Sequence, residues 1–154
     1  MHNKLLISLF ILLFCCLQSR ADNKQWGVGL LGAWPIGGIT AYYNTSNVFT
    51  LQVGIDPFGY DRGLFFRGLY RFHNERIYSA YGFASIGIWS YKFQRTSLGL
   101  AGGVGMEFFL EEIIEGNFAT LSLAPELGAG LVNFGEKNEM VLYPYLGLGI
   151  YYRF

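Results

Sequence analysis

VLYPYLGLGIYYRF, residues Val141 to Phe154, alternates without a break: Leu142, Pro144, Leu146, Leu148, Ile150, Tyr152 and Phe154 are apolar or aromatic. Between them stand Tyr143, Tyr145, Gly147, Gly149, Tyr151 and Arg153. A period of two is that of a β-strand, in which successive side chains point to opposite faces. The stretch therefore reads as a strand with one apolar face and one mixed face, and it runs to Phe154 with no polar tail. In water a strand gains little from such an ending. A membrane-crossing strand gains an interfacial anchor.

The same alternation recurs upstream, punctuated by turn chemistry. A first strand, about Gln25 to Trp34, sets Trp26, Val28, Leu30 and Trp34 against Gln25, Gly27, Gly29 and Ala33, with Leu31 on that second face. Pro35 to Gly38 turns the chain into a short second strand, Ile39 to Asn44, which ends at Asn44-Thr45-Ser46-Asn47. The third, Val48 to Asp56, points Phe49, Leu51, Val53 and Ile55 one way and Thr50, Gln52 and Gly54 the other. After a loop over Pro57 to Arg62, the fourth strand, Gly63 to Phe72, carries Leu64, Phe66, Tyr70 and Phe72 outward and Arg67, Leu69 and Arg71 inward. His73 to Arg76 reads as a turn. The fifth strand runs from Ile77 towards Trp89; both its faces are apolar, so hydropathy leaves inside and outside open. A polar loop, Tyr91 to Thr96, leads to the sixth, Ser97 to Leu110, with Leu98, Leu100, Val104, Met106 and Phe108 outward and Gly99, Ala101, Gly103, Gly105 and Glu107 inward. Glu111 to Asn117 is an acidic turn with room for one helical turn. The seventh strand, Phe118 to Leu131, faces Leu121, Leu123, Pro125, Leu127 and Leu131 out, and Ser122, Ala124, Glu126, Gly128 and Gly130 in. Asn133 to Asn138 then loops back to the last strand.

Eight strands on short connections favour an up-and-down meander in which each strand pairs with its neighbour in sequence. Pairing the first with the last removes the open edges, which hydrocarbon does not tolerate. The polarity pattern separates membrane from water. A soluble antiparallel sheet turns its apolar face inward. Here the apolar face is the bulkier one, and the other is Gly, Ala and Ser with a few charges, suited to a narrow eight-stranded lumen. Tyr143, Tyr145 and Tyr151 are expected to lie over glycines of adjoining strands. Trp26, Phe72, Phe108, Tyr152 and Phe154 are expected to form one aromatic girdle, and Trp34, Tyr60, Trp89 and Tyr91 the other. Replacing Ser122, read as a small lumen residue, by Ala is expected to cost little.

Alternating apolar residues that end on Phe154, namely Leu146, Leu148, Ile150, Tyr152 and Phe154, resemble the assembly signal of bacterial outer-membrane β-barrels. By length the chain is similar to the eight-stranded members of that family. The resemblance implies a transmembrane barrel in the outer membrane of a Gram-negative bacterium. It also implies contact with outer-membrane lipid and lipopolysaccharide, and recognition of the last strand by the barrel-assembly machinery. A monomer is expected.

The start of the chain fits export. Lys4 is followed by an apolar run, Leu5 to Leu17, and by Ser19-Arg20-Ala21, small residues where a signal peptidase reads. The expected organisation is a signal peptide at 1–21, cleaved after Ala21, and a barrel domain at 22–154. The run is too short to cross a bilayer comfortably as a helix. Cys15 and Cys16 both fall within it, and Phe14 before Cys15 does not suit lipidation. The mature chain then has no cysteine for a disulfide or a thiolate metal site.

Composition limits function. Among 154 residues 14% are charged and 18% aromatic, and the formal net charge is zero, so the basic field that nucleic-acid binding needs is missing. His73, beside Glu75 and Arg76, reads as part of a solvated turn rather than a general base. Glu111, Glu112 and Glu115 read as a charged turn rather than a preorganised hard-cation site. Gly102-Gly103-Val104-Gly105 lies inside an alternating strand and does not open a helix, so it is no phosphate loop. No catalytic, cofactor-binding or metal site is expected. The polar set that stands out is Arg67, Arg71, Glu107 and Glu126, all on inward parity, with Gln52 as a candidate member. Lone charges in a dry lumen are costly, so these should pair or keep water, as a salt-bridge network that fills the lumen; the alternative is a narrow ion path or proton relay. A structural or binding barrel is the leading reading. The alternatives are a lipid A-modifying barrel enzyme, whose local motif is not found here, and a soluble periplasmic lipid-binding barrel of lipocalin type.

Overall fold

The computed structural model describes residues 25–34, 37–57, 61–91, 95–114, 120–133 and 140–154. The expected signal peptide, Cys15, Cys16, Tyr60 and Glu115 lie outside the described residues, as do the side chains of Trp34 and Tyr91.

The eight strands are β1 (Trp26–Trp34), β2 (Gly38–Asn44), β3 (Phe49–Asp56), β4 (Asp61–Asn74), β5 (Tyr78–Tyr91), β6 (Arg95–Phe109), β7 (Leu121–Val132) and β8 (Val141–Arg153). One helical turn, α1 (Leu110–Ile113), follows β6. Every strand pairs antiparallel with the next, and β1 pairs with β8, so the sheet closes into a barrel. The seam is finished by Trp26 N–H donating to Phe154 O at 3.3 Å and Phe154 N–H donating to Trp26 O at 3.0 Å. Both ends of the barrel chain thus meet at one mouth, together with the links after β2, β4 and β6.

Several strands extend beyond their expected limits. His73 and Asn74 belong to β4 rather than to a turn, and the ladder with β5 absorbs an extra residue between Arg71 and His73 as a bulge. The loop expected over Tyr91 to Thr96 shortens because β5 and β6 pair as far as Tyr91 and Arg95. Gly38 opens β2 with a φ of 138°, a conformation open to glycine, and an added Cβ would meet Ile55 O.

Period-two patterning sets the faces. Leu51, Val53 and Ile55 on β3, Leu64 and Phe66 on β4, and Leu146, Leu148 and Ile150 on β8 all point outward. Phe66 is 55% exposed, Leu127 58% and Leu146 67%. The fifth strand resolves the same way: Ile86 and Ile88 face out, while Ser79, Tyr81, Phe83, Ser85 and Trp89 face in. Trp89, expected in an outer girdle, is corrected by this: it is 1% exposed inside the lumen. Its indole covers Gly63, Gly87 and Gly99, where any Cβ would strike the ring. Glycines around it leave a void that only a large side chain fills, and that packing outweighs any preference for the interface. Around the terminal mouth, where the other girdle is expected, Trp26 and Phe72 are exposed. The rings of Trp26 and Tyr43 are 4.5 Å apart, those of Tyr152 and Phe154 6.0 Å, and those of Tyr78 and Phe108 6.3 Å.

Large aromatics facing glycines are the rule inside. Tyr81 sits opposite Gly105 in register, Tyr145 opposite Gly128, and Phe65 opposite Gly54. Tyr151 covers Gly29 and Gly149, and Tyr145 lies against Gly147. The half of the lumen far from the termini is mostly apolar, built from Leu31, Phe65, Phe83, Trp89, Ala101 and Val132, with Thr40 and Ser97 buried at the same levels. The half towards the termini is polar.

Candidate functional site: the charged lumen

Glu126 sits on β7 between Gly105 of β6 and Gly147 of β8 in register. Two glycine neighbours leave space for partners to reach its carboxylate. Arg67 crosses the interior from β4: its Nη2 donates to Glu126 Oε1 at 2.8 Å and to Oε2 at 2.7 Å. Both side chains are fully excluded from solvent. Tyr81 OH donates to Oε1 at 2.7 Å, and Tyr145 OH to Oε2 at 2.8 Å. Each carboxylate oxygen therefore accepts from one phenol and from the guanidinium, which is how a buried charge avoids the cost of lost water. Arg67 is held from its other side as well. Its Nη1 donates to Gln52 Oε1 at 3.0 Å, and its guanidinium carbon lies 4.4 Å from the centre of the Phe83 ring. Gln52 in turn donates from Nε2 to Tyr151 OH at 3.2 Å.

A second layer lies nearer the terminal mouth. Arg71 Nη2 donates to Glu107 Oε2 at 3.0 Å, and Arg71 Nη1 donates to Asn44 Oδ1 at 3.0 Å and to Thr50 Oγ1. Ser122 Oγ donates to Glu107 Oε1 at 2.6 Å. That bond corrects the expectation for Ser122: losing a hydroxyl that serves a buried carboxylate costs about 1.5–3 kcal/mol, not a trifle. Tyr42 and Tyr151 separate the two layers, packed edge to face with ring centres 5.5 Å apart.

A third layer forms the rim. Arg153 Nη2 donates to Glu111 Oε1 of α1 at 2.5 Å, and its guanidinium lies 4.2 Å over the Phe109 ring. Outside it, Arg76 Nε donates to Glu112 Oε2 at 2.6 Å. Both described members of the acidic turn are thus engaged by arginines.

The structure brings together Arg67 with Glu126 and Arg71 with Glu107, and adds Gln52 to the first pair. It also recruits residues that sequence reasoning left out. The alternation gives Tyr145 a role only as a cover for glycine, and Tyr81 lies on the fifth strand, whose faces hydropathy leaves open. The available signal was a tyrosine on inward parity facing a glycine, close to an inward charge. His73 stays apart from these layers, with its ring 5.6 Å from Tyr78 and Nε2 3.4 Å from Glu75 Oε1 at the surface. Gly102 to Gly105 lie within β6. Among the described residues, no group of three or more His, Cys, Asp or Glu is placed to hold a metal ion.

Among solved structures, the chain is similar to the de novo designed protein TMB2.3, with a TM-score of 0.52 and 18% identity over 87% of this chain and 98% of that one. It is also similar to Neisserial surface protein A, with a TM-score of 0.47 and 16% identity over 84% and 93%. Ail, the attachment invasion locus protein of Yersinia pestis, matches with a TM-score of 0.33 and 15% identity over 84% and 93%. At 18% identity the likeness to TMB2.3 is one of fold. No family model matches the chain, and no curated protein matches its sequence.

Proposed function

We propose that this chain is a small integral outer-membrane β-barrel of structural or binding type, with a lumen filled by side chains and no catalytic role. The observation that carries this reading is the polarity of the closed sheet. Exposed Leu30, Leu51, Phe66, Leu127, Leu146 and Ile150 ring the outside, while Arg67, Arg71, Glu107 and Glu126 are inside. Monomeric soluble proteins rarely expose apolar patches larger than a few hundred Å². A lipid-binding barrel in water would need the opposite arrangement, an apolar cavity beneath a polar coat. Eight strands whose interior holds packed aromatics and ion pairs leave no aqueous channel for solutes. Within this proposal residues 1–21 direct export, the terminal mouth faces the periplasm, and outer-membrane lipid and lipopolysaccharide surround a monomer.

Separation of cell membranes by density, followed by carbonate extraction and N-terminal sequencing, tests the reading. The expected product begins near Asp22 and stays with the outer membrane through extraction. Recovery in the soluble periplasmic fraction, or with Met1 retained in the inner membrane, would sink it.

We also assign Leu146, Leu148, Ile150, Tyr152 and Phe154 to recognition by the barrel-assembly machinery. Leu146, Leu148 and Ile150 are exposed on the outward face of β8, Tyr152 has the same parity, and Phe154 follows directly, its ring 6.0 Å from that of Tyr152. Phe154→Asp is expected to lower the amount of assembled barrel in cells severalfold while leaving refolding of purified protein in detergent nearly unchanged. Normal outer-membrane levels of the variant would refute the assignment.

A further inference from the structure

The mouth at the chain termini holds a cleft of about 530 Å³, lined by residues that include Arg71, Arg153, Asn44, Ser46, Asn74 and Phe109. Its described lining contains no acidic residue. Two arginines face it, with side chains only 10% and 12% exposed. The carboxylates that hold them, Glu107 at 3.0 Å and Glu111 at 2.5 Å, are not part of the lining. A guanidinium carries five N–H donors in a fixed fork. Glu111 takes a donor from Arg153 Nη2, and Arg153 Nε is a buried donor without a partner among the described residues. The wall between the two arginines is also set. Asn74 Nδ2 donates to Asn47 O at 3.1 Å, and Ser46 Oγ accepts from the Phe49 amide at 3.1 Å, which leaves its hydroxyl hydrogen to donate.

We propose that this cleft binds an oxyanion, a phosphate or carboxylate group, through Arg71 and Arg153. Planar forks suit the paired oxygens of such groups. Both guanidiniums are already oriented, Arg153 by Glu111 and the Phe109 ring and Arg71 by Glu107 and Asn44, so little side-chain freedom is lost on binding. Because a carboxylate stands behind each arginine, the affinity is modest. The inference rests on the geometry of the mouth alone and holds whatever role the barrel plays. The source of the group is either a soluble anion or the phosphate of a lipid headgroup.

The test uses the full barrel folded in nonionic maltoside micelles. Inorganic phosphate is titrated at constant ionic strength, and in a second arm phosphatidylglycerol is added to the micelles. The ¹⁵N signals of the arginine Nε groups are followed. Saturable shifts of the Arg153 and Arg71 signals are expected in at least one arm. Saturation by phosphate assigns a soluble anion, and saturation by the lipid alone assigns a headgroup. Arg153→Gln should weaken binding at least tenfold. Glu111→Gln, which keeps the cation and removes the opposing charge, should tighten it severalfold. These opposite signs separate a binding site from a merely structural ion pair. If Arg153→Gln does not fold, the Glu111→Gln result and a chloride control stand alone. The proposal is overturned by no saturation in either arm, by equal shifts with chloride, or by weaker binding in Glu111→Gln.

Discussion

Glu126→Leu is expected to lower the unfolding free energy of the detergent-folded barrel by about 3–5 kcal/mol, the cost of leaving one member of a buried pair without its counter-charge. Among the described residues Arg67 then keeps Gln52 and the face of Phe83, and the hydroxyls of Tyr81 and Tyr145 lose their acceptor. No discount for solvent applies, because neither Arg67 nor Glu126 has exposed side-chain surface. Replacing both, Arg67→Met with Glu126→Leu, removes the charges together and is expected to hurt less than Glu126→Leu alone. A double-mutant cycle by equilibrium unfolding reads the difference as a coupling energy. Additive effects would mean that the pair does not act as one unit.

Leu127→Arg is expected to cost about 2–4 kcal/mol in a lipid bilayer, the range for a cation on the lipid face near the midplane. Leu127 follows Glu126 directly, lies half way along β7, and points the other way. Leu142→Arg makes the comparison. Leu142 is outward too, but it is the second residue of β8, near the far rim, where the same charge should cost about 0–1 kcal/mol. Unfolding of both variants in lipid vesicles measures the contrast. Equal costs would show that the outer face does not sit in hydrocarbon at the depth assigned to it.

The strands were legible because two demands coincide in this chain. Each strand pairs with its sequence neighbour, so topology needs no long-range inference, and the outward positions are apolar, so every second residue announces its face. Leu121 to Leu131, with Ser122, Glu126 and Gly128 between the outward leucines, shows both demands at once. The same logic brought Arg67, Arg71, Glu107 and Glu126 to the inside. It failed on β5 because hydropathy does not measure size. Phe83 and Trp89 are mainly apolar side chains like Ile86 and Ile88, yet they face the lumen, where glycines on the neighbouring strands leave room for bulk. Reading volume across strands, with Gly63 and Gly99 each paired in register to β5 residues around Trp89, would have turned Trp89 inward. The rim pair, Arg153 with Glu111, was hidden for another reason. It joins a strand end to a helical turn, and the course of that link is set by packing rather than by period.

The seam between β1 and β8 has a further consequence. It is the one ladder that joins segments far apart in sequence, and the backbones of Trp26 and Phe154 exchange hydrogen bonds across it. A barrel begun at Gln25 and joined to Phe154 by a short peptide bridge could therefore be cut open instead at the link after β2 or β4 without losing a ladder. Such circular permutants would close around the same axis, because abutting ends are the condition that permutation requires. Each would offer a different strand as its last. The fold would then be separated from the order in which its staves are laid down, two properties that the natural chain always presents together.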